Sequence, residues 1–294
     1  MIGAGNGVID MGFCLRLNPL TSSTVDTHAQ AWKNLFLAGV KTVSFNAWLY
    51  ESKNLSAADM RKQWLKEYGF NLSSIHFLDG SYSADCDHSA NMKICDDFRE
   101  FAEIYRDFGA DVIVLHAGSA INSGSLEKDW ACYRDACEKF GEMHVLEVLA
   151  GNLQSFSDSA GKYNMNVAIE NIGGMLPAGD MRTMRILEQL VNRKNFGFCI
   201  DTGHAFYGKE EIVDYLEFAG EKLFATHVHD NHGTFDDHLF PGEGDIDWLP
   251  VIRKFHSMKY PRELMFECSG LPDPDPVHGL IRAQKRWQEY CSEA

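Results

Sequence analysis

The sequence lacks the motifs that mark several common enzyme classes. It contains no G-x-x-x-x-G-K-[ST] loop and no G-x-S-x-G turn, which excludes the usual P-loop nucleotide-binding and α/β-hydrolase sites. The glycine-rich stretch GAGNG at residues 3–7 precedes the first predicted strand instead of following it. A dinucleotide-binding site therefore has little support.

Paired cysteines, long apolar runs and basic residues are also scarce. The eight cysteines are scattered without a C-x-x-C pair, and we find no signal peptide or run long enough to span a bilayer. These absences predict a cytoplasmic protein that does not associate with membranes. Lys and Arg total 27 against 42 Asp and Glu, and the net charge of −15 disfavours nucleic acid and anionic lipid as partners.

The length and composition favour one large α/β domain. With 294 residues and 45% hydrophobic content, the chain is somewhat longer than a typical (β/α)₈ TIM barrel of about 250 residues. No linker or low-complexity tract divides it. We expect residues 1–11 to form an N-terminal extension and residues 12–294 to form a single TIM barrel. This composition is compatible with a homo-oligomer or with a complex with other chains.

Strand-like and helix-like segments alternate along the chain, which favours a closed parallel barrel over an open doubly wound sheet. One predicted helix begins near Ser56 and ends before Gly69, and a second, KICDDFREFAEIYRDFG, ends at Gly109. Residues 127–163 are too long for one ordinary helix and predict a broken helix or a pair. The eight predicted strands are MGFCLRL, KTVSFNAW, LSSIHF, DVIVLHAG, NVAIENIG, FGFCIDTG, LFATHVHD and ELMFECSG.

Acidic or imidazole side chains follow several of these strands at the point where each buried run stops. Because the carboxyl ends of parallel strands meet at one mouth, we expect these groups to surround a divalent cation. Single residues of this kind are often only polar groups leaving a sheet, but four together would repel or desolvate one another without a cation. Three carboxylates and one imidazole suit Mn²⁺, Mg²⁺, Co²⁺ or a catalytic Zn²⁺. The four are Glu170, Asp201, His227 and Glu267.

The stretches VAIENIGG, FGFCIDTGHAF, THVHDN, DDHLFPGEGDIDW and LMFEC resemble the sugar isomerase and endonuclease IV superfamily of xylose-isomerase-like TIM barrels. The resemblance covers roughly Gly12 to Ser269. In the isomerase and epimerase branch it implies one divalent cation, Mn²⁺ first among the candidates, held by those four residues. The cation would act as a Lewis acid on a sugar or polyol ketone and stabilise an enediolate. Glu170 and Glu267 would be the general base and acid.

The endonuclease IV branch uses nine ligands for three zinc ions, and the resemblance supplies a counterpart for each. The sequence D-D-H followed by G-E-G matches the third zinc site of that branch. The residues that would bind substrate or additional metal are His76, His116, His204, Asp236 and His238. Other readings stay open, since His76 can be a structural histidine, His204 can be tied to backbone, and Asp236 can simply pair with His238.

Two observations bear on the choice between the two branches, and each counts against one of them. Ketose 3-epimerases usually place an arginine in the loop after the seventh strand, and none lies between His227 and Gly244. A nuclease, however, needs basic residues for phosphates, and the predicted strand-end loops have almost none. Aromatic side chains near strand ends can pack in the core or face a sugar ring; they are Trp48, Phe77, Phe206 and Trp248.

We therefore expect a metal-dependent sugar, sugar phosphate or keto-polyol isomerase or epimerase with a small-molecule substrate. An endonuclease IV-like phosphodiesterase with up to three zinc ions is the alternative. A dehydratase or lyase would share the same first proton transfer. A non-catalytic barrel is disfavoured because a binding module has no need of two opposed glutamates.

Overall fold

The computed structural model describes residues 9–16, 18–53, 55–78, 88–116, 126–172, 179–269 and 275–294. Eight parallel strands lie within these ranges. Seven fall inside their predicted segments, and β3 begins at Asn71, one residue before the predicted segment LSSIHF. The glycine-rich stretch at residues 3–7 lies outside the described residues. The strands are β1 Met11–Leu15, β2 Thr42–Ala47, β3 Asn71–Phe77, β4 Val112–His116, β5 Asn166–Glu170, β6 Phe196–Asp201, β7 Leu223–His227 and β8 Leu264–Phe266.

The strands form a nearly closed barrel, and the fold is a single-domain (β/α)₈ TIM barrel as predicted. They are hydrogen-bonded in the order β7-β6-β5-β4-β3-β2-β1-β8, and neighbouring strands in this order are parallel. A parallel bridge between Val228 and Phe266 joins the two ends of the sheet. The Val228 N–H donates to the Met265 carbonyl at 2.8 Å, and Glu267 N–H donates to the Val228 carbonyl at 3.1 Å. Barrel closure therefore places β7 beside β8.

Helices cover the outside of the barrel. Three helices were absent from the sequence prediction, namely the first one and two short helices that directly follow β2 and β6. The helices within the described residues are α1 Val25–Leu37, α2 Leu49–Ser52, α3 Leu55–Tyr68, α4 His88–Tyr105, α5 Leu126–Phe140, α6 Glu142–Gly161, α7 Met181–Val191, α8 Thr202–Tyr207, α9 Ile212–Ala219, α10 Trp248–Met258 and α11 Pro276–Glu293.

Glycines with positive φ separate several of these elements. The predicted break between residues 127 and 163 falls at Gly141, whose φ of 85° lies between α5 and α6. Gly69 follows α3 with a φ of 66°, as predicted for a helix-ending glycine. The prediction that the next helix runs to Gly109 was wrong, because α4 ends at Tyr105 and a turn with the Phe108 N–H donating to the Tyr105 carbonyl precedes Gly109.

The core has two parts. Inside the barrel, small and β-branched side chains fill the space below the mouth; they are Val112, Val114, Ala168, Cys199 and Ala225. Outside it, large apolar side chains fill the layer between strands and helices. The rings of Phe98 and Phe156, on α4 and α6, stack there at 4.3 Å. No helix in the described ranges has both the length and the apolar character needed to cross a bilayer.

Candidate metal centre

The barrel gathers the four strand-end residues that the sequence singled out. Glu170 and Asp201 end β5 and β6, His227 ends β7, and Glu267 directly follows β8. One potential ligand atom from each of the four lies within 4.8 Å of those of the other three. All four side chains are buried. Parallel strands thus bring together residues that are 97 positions apart in the chain at the extremes, from 170 to 267.

Glu170 lies at the centre of this group and contacts imidazoles on several sides. Its Oε2 is 3.0 Å from His227 Nδ1, 3.4 Å from His116 Nε2 and 3.7 Å from His76 Nε2. Its Oε1 is 3.1 Å from His204 Nδ1. The Glu170 carboxylate therefore belongs both to the four-residue group and to a smaller group that it forms with His76 and His116.

The buried charges perturb one another strongly. Burial by itself raises the pKa of Glu170, but the facing imidazoles of His227 and His116 outweigh it and hold that pKa well below its usual range. For His227, burial opposes the charged form, whereas Cys199 and the carboxylates of Glu170 and Glu267 raise the pKa well above its ordinary value. In the metal-free protein, the centre therefore holds an ionised glutamate against protonated histidine.

A second group of ligand-type side chains lies next to the first. It contains His204, Asp236 and His238, as the sequence suggested, together with His229. The Asp236 Oδ2 is 2.8 Å from His238 Nε2 and 3.4 Å from His204 Nε2. Burial would raise the pKa of Asp236, but these two imidazoles lower it. Asp236 and His238 therefore pair with each other, as the simpler interpretation of the sequence predicted. This pair belongs to a larger cluster of ligand-type side chains.

Backbone carbonyls orient two imidazoles of this second group. Nδ1 of His204 lies 3.0 Å from the Asn171 carbonyl oxygen, and Nδ1 of His238 lies 2.8 Å from the Glu267 carbonyl oxygen. An Nδ1–H that donates to a carbonyl leaves Nε2 as the ring atom with a lone pair. In both residues Nε2 faces Asp236. This arrangement is typical of histidines that ligate a metal. The contact of His204 with the Asn171 carbonyl also agrees with the alternative interpretation, in which His204 is held by the backbone.

His229 was missed by the sequence reasoning. Its Nε2 lies 2.9 Å from Asp201 Oδ1, and its ring stacks on His238 with centroids 3.9 Å apart. Gly203 makes room for this ring, because a Cβ built there would lie 1.9 Å from His229 Cε1. The signal was present in the sequence, since His229 stands two positions after His227 and side chains two apart share a face of a strand.

Asp230 was also missed, and it anchors the loop that carries Asp236 and His238. Its Oδ2 accepts hydrogen bonds from Gly242 N–H at 2.8 Å and from the Trp248 indole at 2.9 Å. Its Oδ1 accepts from Ile246 N–H at 3.1 Å. A Cβ at Gly244 would lie 2.4 Å from that oxygen. The G-E-G motif therefore closes tightly around a buried carboxylate, and part of its sequence signature is structural.

The remaining sequence candidates have clear positions. His76 is 5% exposed and packs edge-on against His116, with ring centroids 4.8 Å apart. Phe77 and Trp248 are buried in the core, so neither forms a platform for a sugar ring. Trp48 is only partly buried and lines a cavity at the barrel mouth.

The donor set fits a divalent cation. Within the described residues, several buried polar atoms make no hydrogen bond, which is costly unless another partner is bound. They include both carboxylate oxygens of Glu170, Nδ1 of His227, both ring nitrogens of His76 and Oδ1 of Asp236. The four-residue group offers mainly hard oxygen donors, whereas the group around Asp236 is richer in imidazole. A cation would ligate atoms that have charged neighbours but no hydrogen bond in the protein.

Comparison with known proteins agrees with the barrel. Residues 37–290 match the model of the xylose isomerase-like TIM barrel family. Protein MJ1311 of Methanocaldococcus jannaschii is 23% identical over 283 residues, which cover 81% of this chain and 94% of that protein. The match to the family model spans well over half of the chain.

Solved structures with the same fold include sugar epimerases. The D-allulose 3-epimerase of Methylomonas sp., solved with D-allulose, superposes with a TM-score of 0.71 at 13% identity and covers 96% of this chain and 98% of its own. The IOLI protein, solved with a bound zinc atom, superposes with a TM-score of 0.67 at 15% identity, covering 96% and 98%. The chain belongs to the xylose isomerase-like TIM barrel family.

Proposed function

We propose that this protein is a metal-dependent isomerase or epimerase that acts on a sugar, a sugar phosphate or another polyol ketone. The observation that carries the proposal is the convergence of Glu170, Asp201, His227 and Glu267, whose ligand atoms lie within 4.8 Å of one another. The similar folds of sugar epimerases support it. A divalent cation, with Mn²⁺ as the first candidate, would be held by these four residues and would polarise the substrate carbonyl.

The two glutamates would carry out the proton transfers. His227 Nδ1 lies 3.0 Å from Glu170 Oε2 and 3.3 Å from Glu267 Oε2, so both carboxylates contact the same imidazole nitrogen. One carboxylate would take the proton from the carbon next to the carbonyl, and the other would return a proton on the far side. The low pKa of Glu170 keeps it ionised in the metal-free protein, as a base requires. His204 and the neighbouring histidines would hold substrate oxygens.

The deciding experiment is solvent exchange. The protein loaded with Mn²⁺ is incubated with a panel of ketoses in D₂O, and deuterium at the carbon next to the carbonyl is measured by NMR. We expect exchange in the wild type and loss of at least about 100-fold in Glu267→Gln, since general acid–base catalysis contributes about 10²–10⁴-fold. Product analysis distinguishes an isomerase or epimerase from a dehydratase or lyase, which shares the first step.

Glu263→Gln is the matched control. Glu263 precedes β8 at the opposite end of the barrel, where its Oε1 accepts a hydrogen bond from Thr42 Oγ1 at 3.1 Å. This variant removes the same charge far from the mouth and should exchange at the wild-type rate. Normal exchange by Glu267→Gln would remove Glu267 from the proposed acid–base pair.

One observation favours a second candidate, an endonuclease IV-like phosphodiesterase. The nine residues suggested by that resemblance lie in three adjoining groups around Glu170 and Asp236. Metal analysis separates the two candidates, because about three zinc ions per chain and cleavage of a duplex with an abasic site would favour the nuclease. The net charge of −15 argues against DNA as the substrate.

A further inference from the structure

At the carboxyl end of each strand a side chain faces the mouth, and at β1 and β2 this last side chain is not a ligand-type residue, although Cys14, earlier on β1, groups with His227 and Glu267. Strands β3 to β8 supply the metal-type residues, which are His76, His116, Glu170, Asp201, His227 and Glu267. Strands β1 and β2 supply Arg16 and Asn46 instead. Neither Arg16 nor Asn46 has a role in the function proposed above.

Alternation along the strands points both side chains toward the mouth. Phe45 faces the outer helices, with its ring 6.1 Å from Trp32 and 6.0 Å from Tyr105, so its neighbour Asn46 faces inward. Arg16 follows β1 and reaches Glu267, with Nε 3.5 Å from Oε1. Arg16 therefore lies directly beside one of the two proposed catalytic glutamates.

A cavity of about 420 Å³ opens next to these two side chains. Its size lies within the range of about 300–1,000 Å³ that is usual for small-molecule sites. The lining includes Arg16, Asn18, Thr27, Asn46, Trp48 and Ser269. None of the described residues that line it is acidic, although the whole chain carries 42 acidic residues. The cavity is thus a local exception to the negative charge of the protein.

The guanidinium of Arg16 retains capacity to bind a ligand. Its two contacts in the described structure are long, since Nη1 lies 3.4 Å from Ser269 Oγ and Nε lies 3.5 Å from Glu267. The Arg16 side chain is 35% exposed. A guanidinium has five N–H donors in a planar fork that matches a carboxylate or a phosphate. Among the described residues, no acceptor other than Ser269 and Glu267 engages this guanidinium, and Arg16 lines the cavity.

We infer that this cavity binds the part of the substrate beyond the carbonyl, and that it recognises an oxyanion there through Arg16. The oxyanion would be a carboxylate or a phosphate monoester on a short polyol chain. The Asn46 amide would hold a hydroxyl between the oxyanion and the metal centre, and Trp48 would form the wall. This inference rests on the proposed function, because it places the reacting carbon over Glu170 and Glu267.

Binding of inert analogues tests the inference without turnover. Calorimetry on the Mn²⁺-loaded protein compares xylitol, xylitol 5-phosphate and D-xylonate, none of which has a ketone. At least one anion should bind about 10- to 100-fold more tightly than xylitol, since hydrogen bonds to charged groups contribute about 1.5–3 kcal/mol. Arg16→Gln should reduce that ratio to about one, and Arg16→Lys should restore part of it.

The control is Arg99→Gln. Arg99 lies on the exposed surface of α4 and pairs with Asp96 at 2.9 Å, so its loss changes net charge equally and should leave the ratio unchanged. Thermal unfolding of Arg16→Gln should match the wild type. If xylitol binds as tightly as both anions, or if the preference survives in Arg16→Gln, the inference is wrong and Arg16 is only a counter-ion for Glu267.

Exchange in D₂O separates this inference from the proposed function. Ribulose and ribulose 5-phosphate are compared in the wild type and Arg16→Gln. Arg16-dependent binding of an anionic analogue with no exchange in any ketose would support the cavity and overturn the proposed chemistry. Exchange with an anion preference that Arg16→Gln does not alter would support the chemistry and overturn the cavity.

Discussion

The buried carboxylate of Asp230 should be essential for the loop that carries Asp236 and His238. The change to test is Asp230→Ala. The wild-type carboxylate accepts hydrogen bonds from the backbone N–H groups of Asn231, Gly242 and Ile246 and from the Trp248 indole. Without it, the donors on Asn231, Ile246 and Trp248 stay buried without this acceptor, whereas the exposed Gly242 N–H can turn to water.

The magnitude follows from these donors. Each buried donor without a partner costs about 1–3 kcal/mol, so the loss of the acceptor for three buried donors should lower the free energy of unfolding by at least about 3 kcal/mol. Urea denaturation followed by circular dichroism measures this loss. Asp230→Asn keeps the shape of the side chain but turns one acceptor into a donor, and it should lose less than Asp230→Ala.

The matched control is Asp247→Ala. Asp247 is exposed and caps α10, with its Oδ1 accepting from Leu249 N–H at 3.3 Å, so its loss should cost only about 1 kcal/mol. Asp230→Ala should also weaken cation binding at Asp236 and His238 while sparing the group around Glu170. A loss of stability no larger than that of Asp247→Ala would refute this account of the loop.

Three further predictions concern other parts of the molecule. Gly203→Ala should lower stability by about 1–3 kcal/mol in urea denaturation because its Cβ would meet His229 at 1.9 Å; a neutral result would refute the tight approach. Arg61→Met should cost about 3–5 kcal/mol because it leaves its buried partner Glu51 unpaired, and a double variant with Glu51→Leu should recover part of this loss. Since its raised pKa keeps His227 protonated in the metal-free protein, cation binding should release a proton, and affinity should rise about tenfold per pH unit below that pKa; calorimetry in buffers of different ionisation enthalpy would detect the proton, and a pH-independent affinity would contradict it.

The sequence predicted the strands well because each is a short, largely buried run, and β4 to β8 each end at or directly before an acidic or imidazole residue. The same pattern placed Glu170, Asp201, His227 and Glu267 at one mouth. The length of residues 127–163 predicted a broken helix or a pair, and the structure places the break at Gly141, where a glycine allows positive φ. These features are encoded locally, by burial pattern and by single residues.

The residues that escaped prediction depend on contacts between distant segments. Asp230 follows a strand like the proposed ligands do, yet its oxygens bind three donors between positions 242 and 248 instead of facing the mouth. Arg16 has no role until barrel closure brings β8 and Glu267 beside β1. His229 needs the space left by Gly203 to reach Asp201. The spacing from His227 could have singled out His229, but no local pattern distinguishes Asp230 or Arg16 from ordinary polar side chains.

The central claim is that the strand-end carboxylates and imidazoles form one cation site. Anomalous diffraction from crystals grown with Mn²⁺, recorded at the manganese absorption edge, tests it most directly. The account predicts a peak within bonding distance of Glu170, Asp201, His227 and Glu267 together. A peak at a different position would contradict it, as would a centre with well-ordered side chains and no peak at saturating Mn²⁺.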